Sequence, residues 1–143
     1  MQTHIGWLWI VGFFGLLAAA NAQTALRPVA NTQFDGTYAF VSSTKVNETS
    51  RDFKNRELQC PDRSAGALTI LNGAARYMGS GGREFEGTVA SSGELAMRSS
   101  APGIKSRPPS EVMINGKIDA NGTIRARRVT YRCSHDLIWQ KSK

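Results

Sequence analysis

The stretch from Ala67 to Met78 reads ALTIL, then Asn72-Gly73, then AARYM. Two short runs of alternating apolar residues flank a dipeptide that tolerates positive φ at both positions. That combination predicts a β-hairpin closed by a type I′ turn. Two further stretches repeat the design. Arg83 to Ala90 (REFEGTVA), a turn at Ser91-Ser92 and Gly93 to Arg98 (GELAMR) form a second hairpin. Val112 to Ile118 (VMINGKI), a turn at Asp119 to Asn121 and the run from Gly122 form a third.

The second and third hairpins are copies of one unit. Phe85-Glu86-Gly87-Thr88-Val89 matches Ile114-Asn115-Gly116-Lys117-Ile118, and Gly93-Glu94-Leu95 matches Gly122-Thr123-Ile124. In each copy the apolar residues before and after the turn, Val89 with Leu95 and Ile118 with Ile124, face the core. The glycines mark points where the chain bends.

Upstream, Phe34-Asp35-Gly36 opens a strand over Thr37 to Val46 (TYAFVSSTKV), with Tyr38, Phe40 and Ser42 on one face. Asn47 to Ala65 is polar and reads as a loop. Ser99 to Ser110 (SSAPGIKSRPPS) holds three prolines, which exclude a central strand, so it reads as a long loop. In the penultimate strand Ile124 and Ala126 occupy one parity, and Val129, Tyr131 and Cys133 the other. A β-bulge near Arg127-Arg128 is expected to reconcile them. A last strand covers Leu137 to Lys141, entered through Ser134-His135-Asp136 as a polar turn. About eight strands in local antiparallel order predict an all-β fold, a small up-and-down barrel or sandwich, with the closed barrel preferred because it leaves no edges.

The N-terminus is of a different kind. No charged side chain precedes Arg27, Ile5 to Ala20 is apolar apart from its glycines, and Ala20-Asn21-Ala22 has the small residues of a cleavage site. Residues 1–22 therefore read as a signal peptide and 23–33 as a flexible leader, with 34–143 as a single domain. Sixteen residues fall short of the roughly 20 that a spanning helix needs. Export gives meaning to the two cysteines. Cys60 and Cys133 are an even pair in an oxidising compartment and are expected to form a disulfide. Closing so long a loop stabilises by about 4.4 kcal/mol in the chain-entropy picture.

The chain carries a net charge of +7. For an exported, periplasmic or extracellular protein this points to an anionic envelope surface, a glycan or an acidic protein rather than to nucleic acid. The densest basic cluster is Arg125, Arg127, Arg128 and Arg132, with Lys117 on a neighbouring strand, and these five are the candidate anion-binding residues. Tyr38, Phe40, Tyr77, Phe85 and Trp139 are candidates to line an apolar cavity. Ser134-His135-Asp136 has the letters of a hydrolase triad, but adjacent side chains diverge and cannot form its hydrogen-bond chain. Glu84 and Glu86 share a strand face and read as solvated carboxylates. Asn47-Glu48-Thr49 and Asn121-Gly122-Thr123 match a glycosylation sequon by chance. No catalytic residue, metal site or cofactor motif is assigned. The expected function is a non-enzymatic binding or structural module. A small apolar-ligand carrier is the alternative, and a hydrolase comes last.

The Phe34-Asp35-Gly36 opening, the Gly-x-apolar hairpins at Gly87 and Gly116, and Cys133 shortly before Trp139 resemble a group of small exported proteobacterial all-β proteins. The chain differs in having Tyr38 as the aromatic after the opening glycine and a longer Cys-to-Trp spacing. The resemblance implies a β-barrel-like fold and no activity.

Overall fold

The computed structural model describes residues 31–80, 82–101 and 110–143. The signal peptide, most of the leader and residues 102–109 of the proline-rich stretch Ser99 to Ser110 lie outside the described residues, and the ends of that stretch, Ser99 to Ala101 and Ser110, are paired strand rather than loop. Among the described residues ten strands follow one another: β1 (Gly36–Lys45), β2 (Thr49–Arg51), β3 (Glu57–Gln59), β4 (Ala65–Leu71), β5 (Ala74–Gly79), β6 (Glu84–Val89), β7 (Glu94–Ala101), β8 (Ser110–Ile118), β9 (Thr123–Val129) and β10 (Ser134–Lys141). Eight close into an antiparallel barrel in the order β1-β10-β9-β8-β7-β6-β5-β4, and β2 and β3 pair separately. The fold is the predicted up-and-down barrel, closed where β1 meets both β4 and β10.

The hairpin at Asn72-Gly73 forms as its chemistry requires, with φ of 52° and 77° at its two residues. The repeated glycines have a different use. A Cβ on Gly87 would strike the Ala96 carbonyl, and one on Gly116 would strike Ala126 and the Arg125 carbonyl. Both glycines sit on the inward parity of their strands, between Phe85 and Val89 and between Ile114 and Ile118, which are buried. They let neighbouring backbones close in and coil the wall.

The lumen between the two ends is filled. Tyr38, Leu68, Ile114, Ile124 and Trp139 are fully buried. Trp139 packs against Tyr77 (ring centroids 5.4 Å apart) and Phe40 (5.9 Å), and its indole N–H donates to the Gly66 carbonyl at 3.0 Å. At one end the hairpin turns Asn72-Gly73, Ser91 to Gly93 and Asp119 to Gly122 come together. There Phe34 packs on the core and accepts a 2.7 Å hydrogen bond from the Tyr38 hydroxyl. Asn31, the last part of the leader, donates to the Val89 carbonyl there at 3.3 Å.

Several local expectations need correction. Register shifts lie in β4, between Ala65 and Leu68, and in β1, rather than in β9. Pairing with β10 jumps from Phe40–Trp139 to Ser42–Ile138, which leaves Val41 as the extra residue. Inward parity then passes to Ser43 and Lys45, opposite Leu137 and His135, so Ser42 does not share a face with Tyr38. β9 keeps one phase to its end. Ile124, Ala126 and Arg128 are buried, while Arg125, Arg127 and Val129 are exposed. The strand simply stops at Val129, and Thr130 to Cys133 turn, the Thr130 N–H donating to the Cys133 carbonyl at 3.0 Å. Ser134-His135-Asp136 opens β10 rather than forming a turn. The loop from Asn47 to Ala65 contains the short β2–β3 ribbon.

Candidate functional site

The second end of the barrel is built differently from the first. Here the chain between β1 and β4 forms a strap carrying β2 and β3, and the Cys60–Cys133 disulfide ties the strap to the β9–β10 turn with Cα atoms 5.8 Å apart. Asn47 reinforces the tie. Its side-chain amide donates to the Thr49 carbonyl (2.9 Å) and the Arg132 carbonyl (3.1 Å), and its Oδ1 accepts from the Ser134 N–H (2.9 Å). The sequon asparagine is thus a structural clamp.

His135, fully buried, supports the strap from below. Its Nε2 lies 2.9 Å from the Pro61 carbonyl. A carbonyl only accepts, so Nε2 carries the proton, and the buried Nδ1 has no partner among the described residues.

Between strap and barrel wall lies a cavity of about 510 Å³. Tyr77, Phe85 and Val112 from the barrel core reach it, Leu58, Pro61 and Arg63 come from the strap, Arg83, Arg128 and Arg132 add positive charge, and Glu111 sets one carboxylate against them. Tyr77 and Phe85 stack at 4.6 Å with their planes parallel within 1°. Burial pushes the Tyr77 hydroxyl up to about 12 against the opposing pull of Arg128, so it stays a neutral phenol.

Arg128 is the unusual member. It is only 9% exposed, it points inward, and its buried Nη1 has no hydrogen-bond partner among the described residues. Burial first, and then repulsion from Arg63 and Arg83 against the help of Tyr77, holds its pKa below the ordinary arginine value. Among the described residues, neither Arg63, Arg128 nor Arg132 is in an ion pair. Arg132 is half-buried, its Cζ lying 4.6 Å from the Tyr131 ring centroid. A buried guanidinium without a counter-charge is costly, and this arrangement can offset that cost by accepting an anion through charge-assisted hydrogen bonds.

The five candidate anion-binding residues therefore divide. Arg128 and Arg132 line the cavity. Lys117 and Arg125 face each other across β8 and β9 on the outer wall. Arg127, also outside, is held by Asp136 through bonds of 2.8 and 3.1 Å, which lower the Asp136 pKa. No single stripe joins them. Glu84 and Glu86 are both bound to Arg76, at 3.2 and 2.6 Å. In the Ser134-His135-Asp136 tripeptide His135 is buried and Asp136 exposed, as strand alternation demands. Arg63 and Arg83 were missed by the sequence reading because nothing local marks two separated arginines as neighbours of a third.

Comparisons with protein-family models, with curated proteins and with solved structures return no match for this chain.

Proposed function

We propose that this chain is a non-enzymatic binding module that receives a small anionic group in the arginine-lined mouth of its barrel. The observation that carries the reading is Arg128, inward, buried and with Nη1 unpartnered beside a cavity. An anion there would satisfy that group and relieve the repulsion among Arg63, Arg83 and Arg128. The reading narrows the broader idea of a basic protein engaging an anionic envelope surface, glycan or acidic partner. A carrier of large apolar ligands would need the space that Tyr38 and Trp139 fill. A periplasmic or extracellular setting belongs to the same reading. The disulfide is in keeping with it, as are the signal-like N-terminus and the resemblance to small exported proteins.

Titration calorimetry of the protein with inorganic phosphate, sulfate and acetate tests the site. Binding should be lost in Arg128→Met and retained when Arg125 and Arg127 on the outer wall are changed to Ser. Equal binding by wild type and Arg128→Met would reject the mouth. Loss only in the outer-wall variant would move the site to that face.

A further inference from the structure

We propose that the mouth end of the barrel is a docking surface for an anionic phospholipid bilayer, with Phe53 and Tyr131 entering the membrane interface. The first observation is where the exposed apolar side chains lie. Large exposed hydrophobic residues scattered singly mean little, whereas a cluster on one face marks an interaction site. Among the described residues eight are exposed: Val41, Val46, Phe53, Leu71, Met78, Met113, Val129 and Tyr131. Of these only Leu71 is at the far end, and Val41 is the bulge residue midway along β1. The other six are at or beside the mouth end. Met113 and Val129 sit opposite each other on β8 and β9, next to Tyr131.

The two aromatics protrude furthest, Phe53 at 85% and Tyr131 at 78% exposure. Phe53 is held out by a built turn. Buried Asp52 accepts at Oδ1 from the N–H groups of Lys54 (2.8 Å) and Arg56 (2.9 Å), and at Oδ2 from Arg56 Nε (2.7 Å). Each aromatic has a cation beside it, Lys54 Nζ at 5.6 Å from the Phe53 ring and Arg132 at 4.6 Å from Tyr131. An aromatic ring with an adjacent basic group suits the headgroup region of a bilayer, where the ring is half-immersed and the cation meets phosphate.

Charge selects an anionic surface. Of the carboxylates at this end, Asp52 is bound to Arg56, Glu48 and Asp62 share Lys45, which offsets one of the two, and Glu84 shares Arg76 with Glu86. Glu57 and Glu111 remain outside ion pairs among the described residues. Against them stand Arg51, Lys54, Arg63 and Arg132. The hairpin turns of the far end, Asn72-Gly73, Ser91 to Gly93 and Asp119 to Gly122, carry no basic residue and no aromatic of their own, and the Phe34 and Lys141 beside them are packed against the turns. A bilayer docked at the mouth presents headgroup phosphate to Arg128. That last step rests on the proposed anion site, while the docking does not.

The test places a photocrosslinking benzoylphenylalanine at position 53, 131 or 71 of the full chain. Each protein is irradiated with vesicles of phosphatidylglycerol and phosphatidylcholine, or of phosphatidylcholine alone, and lipid adducts are measured by mass spectrometry. The comparison between positions is the readout, because the apolar stretch 5–20 can itself hold the chain on a vesicle. Adducts at 53 and 131 should exceed those at 71 by tenfold or more on the anionic vesicles. They should fall when Arg51 and Lys54 are changed to Ser, since each basic group near an anionic surface contributes about fivefold in affinity. Equal adducts at 71, no adducts at 53 and 131, or crosslinks there to a second copy of the chain would overturn the docking. Phosphate binding in calorimetry would survive that failure, and adducts in Arg128→Met would survive failure of the anion site.

Discussion

Arg128 and His135 face each other directly across β9 and β10, and both side chains turn into the barrel. His135 is anchored to the Pro61 carbonyl, whereas Arg128 Nη1 has no hydrogen-bond partner among the described residues. An ordinary barrel end would place two apolar residues at this pair. The arginine therefore costs stability in the free protein, and the cost is the physical basis for expecting an anion.

Arg128→Met should accordingly raise stability by about 1 kcal/mol or more, because an apolar side chain of similar length replaces a buried charge without a partner. The check is the urea midpoint at constant slope. Phosphate should raise the melting temperature of the wild type through binding linkage and leave the variant unmoved. A variant less stable than wild type would mean that Arg128 already has its compensation within the fold.

The repeated glycines make a sharper test of the barrel wall. Gly87→Ala and Gly116→Ala each place a methyl against neighbouring backbone, which cannot swing aside as a side chain can. Each should cost about 1–3 kcal/mol, the range for overpacking. Ser92→Ala, in an exposed turn, should stay within about 0.5 kcal/mol. Thermal or urea unfolding of the three proteins measures this, and neutral glycine variants would mean a looser wall than described.

How much of this was readable in the chain follows from the range of each interaction. The hairpins were readable because alternation and Asn72-Gly73 act over a few residues. The disulfide was readable because two cysteines leave one pairing. The inward arginine was not. Val129 and Tyr131 have the character of core residues, and their parity calls for a bulge to turn them inward. In the fold both are exposed and Arg128 is inside. An apolar residue on the surface breaks no rule, so parity near a strand end is a poor guide where a turn is about to begin. The β2–β3 ribbon escaped notice because its six residues are mostly polar and gain their order from the strap's ties. Arg63, Arg83 and Arg128 become neighbours only through barrel closure.

Removing the disulfide by changing both cysteines to alanine should cost about 2–5 kcal/mol in global stability. It should also free the strap before the barrel. Trypsin sites at Arg51, Lys54 and Arg56 should be cut in the native state faster than sites within β9. Mass spectrometry of early digestion products would show this order. Uniform cleavage across strap and barrel would mean that Asn47 and His135 hold the strap as firmly as the barrel without the disulfide.

Asp52 gives the strap a pH response of its own. The backbone N–H of Arg56 chiefly, with the Arg56 side chain and the Lys54 N–H, holds the carboxyl below its ordinary value of 3.8, against the opposing effect of burial. A carboxyl depressed in the folded state contributes stability above its unfolded pKa, and the contribution is lost as pH falls through the folded value. The turn around Phe53 should therefore be unchanged from neutral pH down to about pH 4 and loosen only in stronger acid. Asp52→Asn should show the loosened turn at every pH, because a neutral amide makes a weaker acceptor for both backbone groups and ends the ion pair with Arg56. Amide exchange at Lys54 and Arg56, taken relative to the intrinsic rate at each pH, reports this directly, with protection falling in strong acid for the wild type and already low in the variant. Slow exchange at both amides in Asp52→Asn would show that backbone pairing between β2 and β3 holds the tip without the carboxylate.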